Sequence, residues 1–120
     1  MYELLFKGSK TGAYLTIERR KGSNVPVGVW AVTERDINAL DRYEGFPAFY
    51  YKKEFRQQIW GRDGEDLGVR DCFAYIMHED RRIGIPSSVY INTCREGYKD
   101  FGFDINILMD AVMRSKEATL

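Results

Sequence analysis

The amino-acid sequence predicts a single α+β domain of 120 residues, with strands arranged in one curved antiparallel or mixed sheet. The chain length is close to that of one ordinary domain. Apolar and polar residues alternate in the first part of the chain, which indicates strands, and apolar residues recur with helical spacing at its end. The predicted order is three strands, a helix, a strand hairpin and two helices.

Three strands are predicted before the first helix. Residues 2–7 and 13–20 alternate in polarity, and a glycine-rich turn separates them. Residues 25–32 are apolar on both faces, a pattern typical of a strand that is covered on both sides. We therefore expect this third strand to lie inside the domain.

A short helix and a hairpin follow. Thr33 is a typical N-cap residue, and Asp36 supplies the acid three positions later that completes a capping box. Gly45 is expected to end the helix. Residues 49–60 and 69–77 then read as a long strand and its return strand, joined by a polar loop.

Two helices close the chain. Pro86 begins the first of them, which is expected to reach about Phe101, and Asp104 caps the second. Helical spacing in this last helix predicts an apolar stripe that docks on the core. The stripe consists of Ile105, Leu108, Met109, Val112 and Met113.

The composition excludes several functions. Eighteen basic and eighteen acidic residues give a net charge of zero, so neither nucleic acid nor an anionic membrane is an expected partner. No apolar run approaches the roughly 20 residues of a membrane helix, and no signal peptide is recognised. The cysteines, Cys72 and Cys94, are expected to be free thiols of a cytoplasmic protein, with one bridge between them as the alternative. With His78 as the single histidine, a zinc site is not expected.

The helix over residues 33–44 carries two carboxylates on or beside its apolar stripe. Glu44 lies within the stripe that Ile37 and Leu40 define, and Asp41 borders it. An inward carboxylate that is poorly paired has a raised pKa, which suits a general acid/base at neutral pH. The alternative is that both carboxylates cap loop amides or pair with basic residues of the next strand. These basic residues are Lys52, Lys53 and Arg56.

Four tyrosines are candidates for a ligand pocket. Tyr50 and Tyr51 are neighbours on one strand and therefore point to opposite faces, and Tyr51 falls on the side of the apolar set. Tyr75 and Tyr90 are two further amphipathic rings in apolar settings. For each ring, core packing with a satisfied hydroxyl is the alternative.

An ordered set of landmarks resembles the γ-glutamylcyclotransferase (AIG2-like) family. The first landmarks are an apolar strand, the end of a short helix and a tyrosine pair, at residues 27–33, 40–45 and 50–51. The later landmarks are Ala74-Tyr75-Ile76-Met77, Tyr90 and the segment from Gly97 to Phe103. The resemblance covers roughly residues 2–113, and its Leu-Asp-x-x-Glu-Gly-x-Pro piece is fairly specific.

The resemblance implies a small mixed, mainly antiparallel β-barrel with flanking helices. It also implies an activity: a γ-glutamyl amine or amino acid cyclises to 5-oxoproline and releases its amine. Glu44 matches the family's general acid/base, whereas Asp41 stays structural. Tyr51 and Tyr90 match tyrosines that border the substrate. No metal and no other cofactor is implied.

One family landmark is missing. The family begins with a strand that ends in a Tyr-Gly-Ser-Asn-type loop, and the only similar segment, Gly22-Ser23-Asn24, follows a later strand. The chain is therefore expected to be an N-terminally truncated member of the family. A sheet edge left open in this way favours a homodimer. The alternative function is a catalytically silent small-molecule-binding or regulatory domain of the same fold.

Overall fold

The computed structural model describes residues 1–9 and 12–119. They form two antiparallel sheets and three helices, which confirms the predicted α+β class. In chain order the elements are β1 (Tyr2–Ser9), β2 (Gly12–Arg19), α1 (Glu34–Glu44), β3 (Tyr50–Trp60), β4 (Asp66–Met77), β5 (Arg82–Ile83), α2 (Ser88–Phe101) and α3 (Ile105–Ala118).

The chain divides into two compact units. The first unit contains Met1–Val27 and Glu79–Leu120, and the second contains Gly28–His78. Strands β1, β2 and β5 and helices α2 and α3 thus belong to the first unit, whereas α1, β3 and β4 belong to the second. A single domain over residues 1–120 stays a prediction.

The core of the first unit lies between the β1–β2 ladder and the two C-terminal helices. The strands pair in the order β2-β1-β5, with Phe6 opposite Leu15. Phe6 and Leu108 are fully buried in this core, which also contains Leu4 and Tyr98. Burial of such side chains is the main stabilising contribution available to a unit of this size.

Helix α3 docks on this core, but not with the whole predicted stripe. Leu108 and Val112 are buried as expected, whereas Ile105 is 37% exposed and Met113 is 51% exposed. The buried face instead includes two smaller residues, Ala111 and Ser115. Together with Leu108 and Val112 they have the spacing i, i+3, i+4 and i+7 of one helix face.

Helices α1 and α3 have the predicted caps, and α2 begins at Ser88, two residues after the predicted Pro86. Thr33 and Asp36 form a capping box, in which each side chain accepts a hydrogen bond from the backbone N–H of the other. Gly45 ends α1 in the left-handed conformation at φ 67°, where glycine is strongly favoured. Ser87 caps α2 and Asp104 caps α3 through their side chains.

Strands β3 and β4 of the second unit form an antiparallel hairpin. Its register places Lys52 opposite Tyr75, and Tyr51 opposite Ile76. Opposed residues share a face of the ladder and successive residues alternate between faces, so these two pairs lie on opposite sides. The Asp41 side chain of α1 bonds to Lys52 and Tyr75, which defines their side as the α1 face of the hairpin.

The predicted strand over residues 25–32 is wrong. This segment has no regular structure, and Val27, Val29 and Trp30 are 61%, 47% and 71% exposed. A strand exists only through backbone pairing with a neighbour, and the described residues provide none for this segment. Its β-branched composition is therefore not sufficient to make it a strand.

The expected barrel is not seen either. Closure requires every strand to pair on both sides. In the described part of the chain, β2, β3 and β4 each have one neighbour, so the two sheets stay open. The coarser prediction, antiparallel strands with flanking helices, is confirmed.

Other sequence predictions concern the thiols and the surroundings of the protein. Cys72 and Cys94 are free thiols, and both are partly buried. None of the described helices is long and apolar enough to span a bilayer. A cytoplasmic location and a homodimer stay predictions.

Candidate active site

Glu44 is the last residue of α1, and its carboxyl group has no partner among the described residues. It is partly buried, and within residues 1–9 and 12–119 it makes neither a hydrogen bond nor an ion pair. Burial raises the pKa of the Glu44 carboxyl above its usual range. This environment is the one the sequence predicts for an inward, poorly paired carboxylate.

Asp41, one helical turn earlier, has the opposite environment. Its carboxylate accepts a hydrogen bond from the Tyr75 hydroxyl and lies 2.9 Å from the Lys52 ammonium nitrogen. The Tyr75 hydrogen bond, followed by the Lys52 hydrogen bond, lowers the pKa of Asp41. The structural alternative, pairing with Lys52, is thus confirmed for Asp41 but not for Glu44.

Tyr75 connects the two carboxylates electrostatically. It stands on β4 directly opposite Lys52, and its hydroxyl donates to Asp41. Burial raises the pKa of Tyr75, and the Asp41 hydrogen bond and the charges of Asp41 and Glu44 raise it further. The Tyr75 hydroxyl therefore stays protonated and keeps donating its hydrogen bond to Asp41.

Lys52 is surrounded by aromatic rings on the α1 face of the hairpin. Its ammonium nitrogen lies 4.5 Å from the ring centroid of Phe46, 5.7 Å from that of Phe73 and 6.0 Å from that of Tyr75. A cation over an aromatic face is attracted by the ring quadrupole. Together with the ion pair to Asp41, these contacts fix the position of the Lys52 side chain.

Tyr51 does not join this cluster. It lies on the face of the hairpin opposite Lys52 and Tyr75, with its ring centroid 5.2 Å from that of His78. Its neighbour Tyr50, which is 8% exposed, lies on the α1 face, whereas Tyr51 is partly buried on the other face, opposite the buried Ile76. Tyr50 and Tyr51 point to opposite faces as predicted, but composition does not show which face of the hairpin α1 covers. A substrate-binding role of Tyr51 stays a prediction.

Tyr90 belongs to the first unit and packs within it. Its hydroxyl accepts a hydrogen bond from the Leu15 backbone N–H at 3.0 Å. Its ring stands edge-on to Phe6 and Tyr14, at centroid distances of 6.2 and 5.2 Å. These contacts are those of the core-packing alternative, and a role in binding substrate stays a prediction.

The sequence did not predict the contact between Phe46 and Lys52, and it singled out Lys52 only as a pairing candidate. Phe46 follows the helix-ending glycine, and such a position is ordinarily read only as loop. A signal did exist, because a basic and two aromatic side chains at alternate positions of paired strands form a cation–π cluster once the register is known. These residues are Lys52, Phe73 and Tyr75.

Comparison with known protein families gave a match. The family model described as gamma-glutamyl cyclotransferase, AIG2-like, matches residues 1–92, which is more than half of the chain. The matched segment includes Glu44, Tyr51 and Tyr90. No curated protein and no solved structure matched the chain. The resemblance drawn from the sequence landmarks is thereby confirmed.

Proposed function

This chain belongs to the gamma-glutamyl cyclotransferase, AIG2-like family, and we propose from this membership that it cyclises a γ-glutamyl amine or amino acid to 5-oxoproline. Glu44 is the general acid/base of this reaction. The observation that carries the proposal is the partly buried, unpartnered Glu44 carboxyl with its raised pKa. A base with a pKa nearer to neutrality is effective both in accepting and in returning a proton.

The reaction needs one proton carrier because the nucleophile and the electrophile belong to the same molecule. Glu44 accepts a proton from the substrate's α-ammonium group, which frees the nitrogen lone pair to attack the γ-carbonyl carbon. A carbon–nitrogen bond forms and closes the five-membered ring. Holding both groups in one molecule supplies the proximity that a bimolecular reaction lacks.

The tetrahedral intermediate then collapses. The bond from the former carbonyl carbon to the leaving nitrogen breaks, and protonated Glu44 donates its proton to that nitrogen. The ring nitrogen releases its extra proton to solvent, from which the freed amine takes up one. Neither a water molecule nor a redox partner is consumed.

Asp41 cannot take this role in place of Glu44. Its lowered pKa and its bonds to Tyr75 and Lys52 hold it as an ionised, fully engaged carboxylate. Two carboxylates whose environments separate their pKa values are the usual sign of divided roles in a site. Glu44 transfers the proton, and Asp41 joins α1 to Lys52 and Tyr75 of the hairpin.

The test is mass-spectrometric detection of 5-oxoproline from a panel of γ-glutamyl amino acids and amines. Glu44→Gln is expected to lower the initial rate by about a hundredfold or more, because it removes the proton carrier and keeps the shape of the side chain. Glu54→Gln makes the same change at an exposed carboxylate of β3 and serves as the matched control. Equal rates for wild type and Glu44→Gln would refute the assignment of Glu44.

Binding without catalysis is a second candidate function. The match to the family model over residues 1–92 is compatible with either function. Calorimetry with the same panel separates the two functions. Heat of binding without 5-oxoproline favours the silent domain, whereas product formation that depends on Glu44 excludes it.

A further inference from the structure

The C-terminal end of α1 is held against the hairpin by few contacts. No residue of α1 is fully buried, and its apolar residues Ile37 and Leu40 are only partly buried. Its inward side chains include Asp41, whose carboxylate bonds to Lys52 and Tyr75. These polar contacts therefore contribute to the attachment of α1 alongside its partly buried apolar side chains.

Lys52 contacts the chain on both sides of Glu44. Three residues before Glu44, the Asp41 carboxylate lies 2.9 Å from the Lys52 ammonium nitrogen. Two residues after Glu44, the Phe46 ring lies under the same nitrogen at 4.5 Å. The two flanks are also joined directly, because the Phe46 backbone N–H donates to the Asp41 carbonyl oxygen at 2.9 Å.

The backbone cap alone does not fix Glu44 relative to the hairpin. Gly45 and Phe46 close the end of α1 through bonds to the carbonyl groups of the same helix. These bonds determine the local shape of the helix end, but they do not join it to β3 or β4. Lys52 and Tyr75 make that connection, from directly opposed positions of the hairpin.

We propose that Lys52 is a positioning residue for Glu44. Its ammonium group holds Asp41 by an ion pair and Phe46 by its ring face, and so keeps the carboxyl group between them in its partly buried place. Tyr75 completes the hold through its hydrogen bond to Asp41. This inference rests on the role proposed above for Glu44, but it concerns a geometry that can be measured without turnover.

The experiment compares Lys52→Met, which removes the charge and keeps the length of the side chain, with Lys53→Met. Lys53 is the adjacent residue of β3 and lies on the opposite face, opposite Ala74. Both variants lose one positive charge from neighbouring positions, and only the first loses the contacts to Asp41 and Phe46. Lys52→Arg keeps the charge and serves as the rescue variant.

The primary readout is the pKa of Glu44, followed by carbon-13 NMR of the glutamate carboxyl groups during a pH titration. The Glu44 signal is identified by its absence from the spectrum of Glu44→Gln. In Lys52→Met the released helix end exposes Glu44 to water, so its raised pKa falls toward the ordinary value. Lys53→Met is expected to leave the pKa of Glu44 unchanged, and Lys52→Arg is expected to restore most of its shift.

A purely electrostatic effect of Lys52 on Glu44 predicts the opposite change in the pKa of Glu44. Removal of a nearby positive charge would by itself raise the pKa of Glu44. An unchanged or increased pKa in folded Lys52→Met therefore overturns the proposal. If Lys52→Met fails to fold, Tyr75→Phe replaces it, because this variant removes one hydrogen bond to Asp41 and keeps all charges. A lowered pKa of Glu44 in Tyr75→Phe supports the proposal, and an unchanged pKa overturns it.

Turnover supplies a second readout that is separable from the first. In an active protein, Lys52→Met is expected to lower kcat about tenfold or more with a smaller change in KM, because the carboxyl group is misplaced rather than removed. A change confined to KM contradicts the proposal. If wild type forms no 5-oxoproline, the proposed reaction fails, and the titration still decides the inference on Lys52.

Discussion

Two carboxylates on one short helix differ in what surrounds each of them. Asp41 is held by a hydroxyl and an ammonium group, and its pKa is lowered. Glu44 has no such partner, and burial raises its pKa. The residue pattern left both carboxylates open to pairing, and only the family resemblance matched Glu44 to an acid/base and left Asp41 structural. The pairing of Asp41 is confirmed, and the role of Glu44 stays a proposal. The sequence could not identify Tyr75 as a partner, because that depends on the pairing of β3 with β4.

The pKa shift of Glu44 predicts a pH-dependent gain in stability for Glu44→Gln. The pKa in the folded state is raised above the ordinary 4.5, so the carboxyl's contribution to stability is fully present below that value and lost as the pH rises through the folded pKa. Glutamine stays neutral and avoids this loss. The variant is therefore expected to be more stable than wild type near neutrality, by no more than about 1 kcal/mol for a partly buried group.

Urea unfolding at about pH 4 and about pH 7 measures this difference. The stability difference between Glu44→Gln and wild type should increase from the lower to the higher pH. Glu54→Gln, at an exposed position of β3, is the reference for the change of residue type. A Glu44→Gln variant that loses stability relative to wild type as the pH rises would mean that the ionised carboxylate is stabilised by a partner.

The elements predicted correctly are those whose signals are local. Capping residues lie next to the helix ends in the sequence, so α1 begins and ends as predicted, α2 ends as predicted, and α3 begins after its predicted cap. Residues 25–32 show the limit of this reasoning, because β-branched composition indicates a strand and only a partner strand makes one. The position of Tyr51 has the same limit, since composition does not show which face of the hairpin α1 covers.

At the end of α1, Gly45 is required by the backbone conformation. Gly45→Ala is expected to destabilise the protein by about 1 kcal/mol or more, because its φ of 67° is unfavourable for a residue with a Cβ atom. The new Cβ would also lie 3.3 Å from the Cβ of Phe49. The effect is measured as a lower midpoint of urea unfolding.

Gly97→Ala is the matched control and should have the opposite sign. Gly97 lies inside α2, has no left-handed φ, and a Cβ there would meet no atom within 4 Å. Alanine in a helix interior is more favourable than glycine by about 0.5–1 kcal/mol. Destabilisation by both substitutions would contradict this account of the helix end, and so would stabilisation by both.

At the scale of the whole molecule, the two units differ in the size of their cores. The first unit unites the two ends of the chain around Phe6 and Leu108. In the second unit, all of whose residues are described, only Tyr50, Ile76 and Met77 are buried. A hairpin and one helix with so small a core are marginally stable on their own. We therefore expect the second unit, which carries Glu44, to depend on the folding of the first.

Leu108→Ala tests this dependence from a site far along the chain from Glu44. Leu108 is fully buried, and truncation of such a residue costs about 2–5 kcal/mol. Because 1.4 kcal/mol is a factor of ten, amide hydrogen exchange of the most protected amides in β1 and α3 should accelerate by about 30-fold or more. If the chain unfolds as one domain, the most protected amides of β3 and β4 accelerate by a similar factor. Met113→Ala, at a 51% exposed position of the same helix, should leave both sets nearly unchanged. Acceleration confined to the first unit would show that the unit bearing Glu44 folds independently and that the single-domain prediction is wrong.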